Sequence, residues 1–405
     1  MLIPYSRQNI FQEDIDAVIK VLRSNFLTQG NQVPMFEEKV AHYCGANGAV
    51  AVNSATSALH IACLALDLGT GDWLWTSPNT FVASANCGLY CGAKIDFVDI
   101  DPKTNNISID KLKRKLEKAK IEDKLPKIVI AVHFSGQPCQ MEEIYFLSIK
   151  YRFKIIEDAS HAIGASYSRS FVNKNEIDVT QTMDNQIKVG SCYHSDITVF
   201  SFHPVKIITT GEGGMALSND PVLIDRMRRL RTHGITNDKK LFQHRPVNEI
   251  WNYQQLELGF NYRMSDIEAA LGLSQMERLD EFVRNRNDIA KKYDMSFNGL
   301  PIVIPYQLHG TYSSYHLYSI RIRDAYNSNS QRKIYDALWR NGVAANLHYI
   351  PVHRHPFYER QGFRKGDFPE AEKFHREAIS IPIYPGFSEE SQQKVINILI
   401  DELEL

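Results

Sequence analysis

The 405-residue chain has few cysteines, no excess of either charge and no long apolar run. Its six cysteines are scattered without a CxxC pair, which argues against a zinc site or a disulfide framework and favours a reducing cytoplasm. Forty-six basic against forty-seven acidic residues give no reason to propose nucleic acid or a membrane surface as partner. No run approaches the ~20 apolar residues that span a bilayer, and the N-terminal MLIPYSRQNI lacks the features of a signal peptide. We therefore expect a cytoplasmic protein without a metal site.

Short apolar runs alternate with amphipathic segments over the first half of the chain. Such alternation predicts an α/β fold with a mostly parallel central sheet covered by helices on both faces. Ligands of such sheets bind at the carboxyl ends of the strands. Strands are predicted at 48–53, 72–77, 95–100, 127–134, 153–158 and 196–202, and helices at 11–25, 57–68, 81–92, 109–119 and 141–151.

The rest of the chain predicts a second, smaller domain. The capping box SDIE, Ser265 to Glu268, predicts one long helix that ends near Tyr293. Apolar runs at 316–322 and 343–350, with helices near 329–341 and 388–403, predict an α+β arrangement. We expect a large domain at 1–275 and a small C-terminal domain at 276–405. The polar, weakly periodic residues 168–190 predict a long hairpin or a surface excursion.

Three features lie where such a sheet binds its ligand. Lys206 follows the strand at 196–202, and its apolar neighbours predict a partly desolvated amine that can attack a carbonyl. Asp158 ends the strand at 153–158. The turn Ser54-Ala55-Thr56 lies between a strand and a helix, where backbone N–H groups favour an anion such as phosphate. A lysine, an aspartate and a phosphate cradle are the parts of a pyridoxal phosphate (PLP) site.

Each of these features has a simpler interpretation when taken alone. A lysine after a strand is commonly a surface residue, and an aspartate at a strand end is commonly a turn former. SATS by itself is an ordinary helix start. The GEGG turn is no Walker A loop, because no Lys-Ser/Thr follows it. The order and spacing of the features together favour the PLP site.

Five separated motifs carry a family resemblance: NSATSALH, EDASHAIGASY, SFHPVKIITTGEGG, RTHG and GFNYRMSDIEAALGLSQ. In these motifs and their order the chain resembles the DegT/DnrJ/EryC1/StrS family of nucleotide-sugar aminotransferases. The resemblance extends from IPYSRQNI near the N-terminus to IPIYPGFS near the C-terminus. It implies a fold type I PLP enzyme that works as a homodimer with shared active sites. The implied substrates are a nucleotide-linked ketosugar and glutamate, with 2-oxoglutarate as the second product.

The resemblance also implies roles for individual residues around the cofactor. Lys206 would bind the cofactor covalently, and Asp158 would pair with its pyridine nitrogen, which makes both residues catalytic. His161 would reach the phenolic oxygen of the cofactor. Phe81 would stack on its ring, although the residue taken alone is better interpreted as core.

Further residues are implied for the phosphate and the substrate. The amides of Ala55 and Thr56, the hydroxyl of Ser201 and the side chain of Asn261, acting across the dimer, would bind the phosphate. Asn261 by its type alone would be a turn former. The candidates for substrate contact are Tyr5, Thr28, Arg263, His348 and Tyr349.

Within the family, the form SFHPVKIITTGEGG and the segment LTQG at 27–30 resemble the pseudaminic acid branch most. That branch aminates C4 of a UDP-linked 4-keto-6-deoxy-N-acetylhexosamine. The alternatives are C4 of a UDP-4-ketopentose and C3 of a dTDP-linked ketosugar. The chain departs from the family pattern at 168–190, where the family has a short hairpin.

Three other functions are weighed against transamination. A nucleotide-binding dehydrogenase needs a GxGxxG turn after its first strand, and the chain has none there. A silent, regulatory relative would be expected to lose Lys206 or Asp158, and both are present. Sugar dehydratases related to the family replace the lysine by histidine, so Lys206 favours transamination.

Overall fold

The computed structural model describes residues 2–168, 186–243, 250, 252–322 and 330–403. The strands in chain order are β1 Ile3–Pro4, β2 Gly48–Val52, β3 Trp73–Thr76, β4 Lys94–Phe97, β5 Ile128–Val132, β6 Lys154–Asp158, β7 Ser166–Ser168, β8 Gln186–Lys188, β9 Ile197–Ser201, β10 Gly214–Ser218, β11 Ile235–Thr236, β12 Gln254–Gln255, β13 Ile302–Val303, β14 Thr311–Tyr312, β15 Tyr318–Ile322, β16 Val343–Ala344 and β17 Ala378–Ile381. The helices are α1 Gln12–Leu22, α2 Gln32–Cys44, α3 Ala55–Ala65, α4 Ala83–Tyr90, α5 Ile109–Ile121, α6 Met141–Tyr151, α7 Pro221–Leu230, α8 Asp266–Met276, α9 Leu279–Ser296, α10 Ser330–Arg340, α11 Pro356–Glu359, α12 Pro369–Glu377 and α13 Glu389–Leu403.

Within the described residues, seven strands form the central sheet in the order β2-β10-β9-β6-β5-β3-β4. The strands β4, β3, β5, β6 and β9 run parallel to one another. The sixth, β10, is antiparallel to both of its neighbours, β9 and β2. The predicted α/β fold with a mostly parallel sheet is therefore confirmed. The strand β10 was not predicted, because the short run GMALS begins within the GEGG turn.

Both faces of this sheet are buried, and alternate strand residues supply the two cores. In β5, Val129 and Ala131 point into the core beneath α2, α5, α6 and α8. Ile128 and Ile130 point to the opposite face, which packs against α3, α4 and α7. A strand covered on both faces is apolar at every position, which explains the continuous apolar runs in the sequence. None of the described helices has the length and apolarity to cross a membrane.

A third core forms around α9, α10, α13, β15 and β17. The first turns of α9, with Leu279 and Phe282, still belong to the core beneath the central sheet. Its later residues, from Ile289 to Phe297, belong to the third core. The helix α9 therefore links the sheet to the C-terminal part of the chain, and the domain boundary at 275/276 stays a prediction.

The single long helix predicted from Ser265 to Tyr293 is wrong, since the chain forms α8 and α9 with a break between them. The amides of Glu277 and Arg278 bond to carbonyls only three residues back, at 3.1 Å each, which ends α8. The Arg278 guanidinium lies 4.3 Å from the centre of the Phe11 ring and pairs with Glu13 of α1. The break thus coincides with a tertiary contact, and neither proline nor glycine marks it in the sequence.

Three other segments refine the predictions. The run at 343–350 forms only the short strand β16, which pairs with β1. The excursion at 168–190 is flanked by β7 and β8, which pair antiparallel, and its residues 169–185 lie outside the described residues. The apolar stripe of α1 faces outward, with Ile15 45%, Ile19 36% and Leu22 54% exposed.

Candidate active site

A cavity of about 410 Å³ opens at the carboxyl ends of the parallel strands. It lies where β6 ends at Asp158, β9 ends at Ser201 and α3 begins after β2. This is the edge at which an open α/β sheet is expected to bind its ligand. Most of the predicted site residues line this cavity: Tyr5, Ala55, Thr56, Phe81, Asp158, His161, Ser201, Lys206, His348 and Tyr349.

Lys206 sits in the loop that joins β9 to β10. The loop is closed at its base, where the Phe202 amide donates to the Gly213 carbonyl at 3.0 Å. Inside the loop, the Lys206 amide donates to the His203 carbonyl at 2.8 Å, which leaves the ammonium end at the cavity. Burial lowers the pKa of Lys206 to about 8, although the Asp158 carboxylate opposes this shift. An amine with such a pKa is partly neutral near pH 7 and therefore nucleophilic.

The Asp158 carboxylate is held at both of its oxygens. The Ser84 hydroxyl donates to Oδ2 at 2.6 Å, and the Ser160 amide and hydroxyl donate to Oδ1 at 3.2 and 2.6 Å. Because the Ser84 hydrogen is used for Asp158, Thr80 donates to Ser84 across their 2.7 Å contact. The sequence analysis missed Ser84, Thr80 and Ser160. Only Ser160, two residues after Asp158, could have been suspected from its position.

The start of α3 offers free backbone donors to the cavity. Ser54 caps the helix, since its hydroxyl accepts from the Ser57 amide at 3.2 Å and its carbonyl accepts from the Ala58 amide at 3.1 Å. The amides of Ala55 and Thr56 precede the first intrahelical bonds and are left for a ligand. A Cβ on Gly214 would lie 2.4 Å from the Ala55 nitrogen, so only glycine lets β10 approach this turn.

His161 presents one ring nitrogen to the cavity side. Its Nδ1 accepts from the Ser135 amide at 3.3 Å, so the ring hydrogen lies on Nε2, which is 3.3 Å from the Tyr349 hydroxyl. Burial, and then the charge of Lys206, hold the pKa of His161 well below its ordinary value. The ring is therefore neutral and can donate one hydrogen bond from Nε2.

The opposite wall of the cavity comes from the two ends of the chain. His348 contacts the Ser380 hydroxyl through Nδ1 at 2.9 Å, and its ring lies 5.1 Å from that of Tyr5. Burial and the charge of Lys206 lower the pKa of His348 to about 3, so this ring is neutral as well. Phe81 is 59% exposed at the cavity, which leaves an aromatic face open to a ligand.

Three predicted residues do not line the cavity. Thr28 and Asn261 are exposed, and Asn261 makes a backbone bridge to Thr232. Arg263 makes a backbone bridge to Val52, behind the α3 turn. Conversely, Glu212 lines the cavity and was not predicted, although it belongs to the quoted GEGG turn.

These groups fit PLP. An amine of lowered pKa, a carboxylate fixed by three donors, two free helix-start amides and an open aromatic face surround one cavity. Its volume of about 410 Å³ suits a small cofactor with a substrate group. The described residues contain no cluster of three or more histidines, cysteines or carboxylates suited to a metal ion.

The fold and the site define a class of enzyme, and comparison with known proteins gives the family. The fold and site are those of a PLP-dependent aminotransferase, and the model of the DegT/DnrJ/EryC1/StrS aminotransferase family matches residues 8–400. The chain belongs to this family.

Similar proteins span the full chain. It is 35% identical over 404 residues to the UDP-4-amino-4,6-dideoxy-N-acetyl-beta-L-altrosamine transaminase of Campylobacter jejuni, covering 100% of this chain and 98% of that one. The structure of Helicobacter pylori PseC, an aminotransferase involved in the biosynthesis of pseudoaminic acid, is 29% identical with a TM-score of 0.85 and full coverage of both chains. The PLP form of Spr1654 from Streptococcus pneumoniae is 27% identical with a TM-score of 0.86, covering 100% of this chain and 99% of that one.

Proposed function

We propose that this PLP-dependent sugar aminotransferase transfers the amino group of glutamate to C4 of a UDP-linked 4-keto-6-deoxy-N-acetylhexosamine, for surface-glycan biosynthesis in the cytoplasm. The observation that carries the proposal is the single cavity shared by Lys206, Asp158 and the start of α3. The choice of sugar is supported by the 35% identity to the Campylobacter jejuni transaminase over the whole chain.

Lys206 and Asp158 perform the central steps. When bound, PLP supplies an aldehyde that exchanges amino groups and a ring that withdraws electrons. Lys206 would hold the cofactor covalently, and its amine, once free, would carry the proton taken from the α-carbon of glutamate. Asp158 would hold a proton at the ring nitrogen, and Ser84 and Ser160 fix its carboxylate for that contact.

The surrounding groups fix the cofactor. The amides of Ala55 and Thr56 and the hydroxyl of Ser201 would bind its phosphate, where the positive end of the α3 dipole adds to the attraction. Phe81, whose ring face is open to the cavity, would pack on its ring. His161 would donate from Nε2 to its phenolic oxygen, which the neutral ring and the fixed Nδ1 bond allow.

The substrate enters on the other side of the cavity. Tyr5, His348 and Tyr349 form the wall opposite the sheet, and we assign them to the sugar. Each of these three side chains has an aromatic ring and a polar atom that can contact a sugar. Thr28 and Arg263 lie outside this cavity, and we assign them to a part of the substrate that extends beyond it.

The enzyme is a homodimer with shared sites. Asn261 is exposed and lies outside its own cavity. We assign it to the phosphate in the site of the partner subunit. The outward apolar stripe of α1, with Ile15 45% and Leu22 54% exposed, supports burial against a second copy.

In mixed dimers, Asn261→Ala and Lys206→Ala chains should together restore one intact composite site. Activity no higher than that of Asn261→Ala alone would show that each site lies within one chain.

A panel of ketosugars tests the proposed reaction. The purified enzyme is incubated with ¹⁵N-glutamate and UDP- or dTDP-linked ketosugars, and the products are located by NMR. We expect ¹⁵N at C4 of the UDP-linked 4-keto-6-deoxy-N-acetylhexosamine. Equal or better amination of a UDP-4-ketopentose, or of C3 of a dTDP-linked sugar, would replace the proposed substrate. Absence of transfer to every ketosugar would contradict the proposed function itself.

A further inference from the structure

His316 lies outside the cavity, directly against the ring of His161. The two ring centroids are 4.3 Å apart with an angle of 42° between the planes, and His316 is only 2% exposed. Tyr349 contacts the same His161 ring through its hydroxyl, 3.3 Å from Nε2. His161 thus touches His316, Tyr349 and the Ser135 amide, which together leave its ring little freedom to turn.

The segment that contains His316 is hydrogen-bonded to the two loops that contain Gly136 and His161. The Ser314 hydroxyl donates to the His161 carbonyl at 2.8 Å, and the Ser314 amide donates to the Gly136 carbonyl at 3.2 Å. A Cβ on Gly136 would lie 2.5 Å from the Ser314 hydroxyl, and its φ is +96°, so this interlock requires glycine. The relative position of His316 and His161 is therefore set by backbone contacts.

Arg286 of α9 anchors the same segment from behind. Its guanidinium is fully buried, and Nη1 donates to the carbonyls of Tyr315 and His316 at 3.2 Å each and of Ile383 at 2.8 Å. The Nδ1 atom of His316 has no hydrogen-bond partner among the described residues. The polar contact from His316 to Arg286 therefore comes from its backbone carbonyl, and its ring packs against His161.

We propose that His316 is a positioning residue, whose ring excludes water from behind His161 and holds the Nε2–H of His161 towards the cavity. The inference rests on the proposed role of His161 at the cofactor. The cationic groups around the pair are Lys206 and Arg286, and the neighbouring titratable rings are His348 and Tyr349. Burial and the nearby cations lower the pKa of both rings, and no carboxylate counteracts them. Both rings therefore stay neutral while water is excluded from them.

Two substitutions separate ring packing from the imidazole nitrogens. His316→Phe keeps an aromatic ring against His161, and it removes the unpartnered Nδ1. His316→Ala, or His316→Gln if the alanine variant does not fold, removes the ring and admits water. The full-length holoenzyme is labelled with ¹³C at histidine Cε1, and the His161 resonance is identified as the one lost in His161→Gln. Thermal unfolding confirms that each variant is folded.

The proposal predicts a flat His161 resonance between about pH 5.5 and 8 in the wild type and in His316→Phe. In His316→Ala or His316→Gln, hydration moves the His161 midpoint upward, towards about 6.5. The kcat should fall about tenfold to a hundredfold in these ring-deletion variants, with the KM for the sugar little changed. A flat resonance in the ring-deletion variants, or a titrating one in His316→Phe, would overturn the proposal. This resonance reports on His316 even if no ketosugar is aminated, which separates its failure from that of the proposed function.

Discussion

Glu157 and Asp158 are neighbours on β6, yet they serve opposite faces of the central sheet. Asp158 points to the cavity, where two serines hold its carboxylate. Glu157 is 1% exposed and points to the face beneath α2 and α6, away from the cavity. The alternation of side chains along a strand separates the two carboxylates, although their sequence positions differ by one.

The Glu157 carboxylate is enclosed by donors. The hydroxyls of Ser195 and Thr198 donate to Oε1, and Nε2 of His133 lies 2.8 Å from Oε2. The Cys139 amide donates to Nδ1 of His133 at 2.9 Å, so the ring hydrogen lies on Nε2 and is given to Glu157. Burial raises the pKa of Glu157, but these hydrogen bonds outweigh it and hold the pKa below its ordinary value.

Glu157 and Asp158 show what distinguishes a structural carboxylate from a functional one. Both groups are buried and both are hydrogen-bonded, so neither property distinguishes them. Asp158 lines a cavity with an amine across it, whereas Glu157 meets only protein groups that position β5, β6 and β9. Access to a ligand, rather than burial, assigns the chemistry to Asp158.

The largest expected effect comes from the amine opposite Asp158. Lys206→Ala should reduce turnover below detection, because no other cavity group can both bind the cofactor covalently and carry the proton. Borohydride should fix the cofactor to Lys206 in the wild type, as shown by peptide mass mapping, and to no residue in the variant. Lys113→Ala, on the exposed side of α5, is the matched control and should behave as the wild type. A Lys206→Ala enzyme with near wild-type turnover would show the assignment to be wrong.

The next effect separates the two carboxylates. Asp158→Asn should lower kcat by about a hundredfold to a thousandfold or more, because the ring proton loses its anionic partner. Glu157→Gln should change kcat by no more than about threefold once the variant is folded and saturated with cofactor. Steady-state kinetics on the pair makes the measurement. Comparable losses in both variants would mean that the contrast between the two faces of β6 does not hold.

A smaller effect is expected on the free energy of unfolding, and here Glu157 matters more than Asp158. Glu157→Gln should lose about 2–4 kcal/mol of unfolding free energy, because buried donors lose their anionic acceptor. The exposed Glu143→Gln is the control and should lose almost nothing. The folded-state pKa of Glu157 is depressed, so its contribution is present above about pH 4.5 and is lost as the pH falls further. Urea unfolding from pH 7 to pH 3.5 should show the wild type and Glu157→Gln converging in acid. A constant difference would contradict the assigned pKa direction.

The smallest effect is a shift of a titration midpoint. In the apoenzyme, neutral Lys206 reacts with amine reagents, and burial lowers its pKa to about 8. Its labelling rate by cyanate should therefore rise with pH with a midpoint at about 8, while the midpoint for exposed lysines lies at about 10.4. Asp158→Asn should move the midpoint further down, since the carboxylate opposes the shift. An unmoved or raised midpoint in that variant would show that the two groups do not interact.

The residues that follow the ends of parallel strands could be predicted to lie close together. Lys206 and Asp158 each follow an apolar strand, and parallel strands end at one edge, so their proximity could be predicted before any coordinates. Ser84 contacts Asp158 across 74 residues, and Ser314 contacts His161 across 153 residues. No local pattern marks such partners, because the contacts depend on how distant loops pack.

The sequence by itself determined the fold class, six of the seven strands of the central sheet, the starts of several helices and the order of the motifs, because short-range apolar periods and capping residues specify local structure. Only the tertiary structure decided that Glu157 is enclosed while Asp158 faces the cavity, that α8 ends at Met276 and that the stripe of α1 faces outward. It also decided that His316 lies behind His161. The reason is physical: burial, charge and hydrogen bonding at a site are sums over neighbours that lie far apart along the chain, and those sums set each pKa and each role.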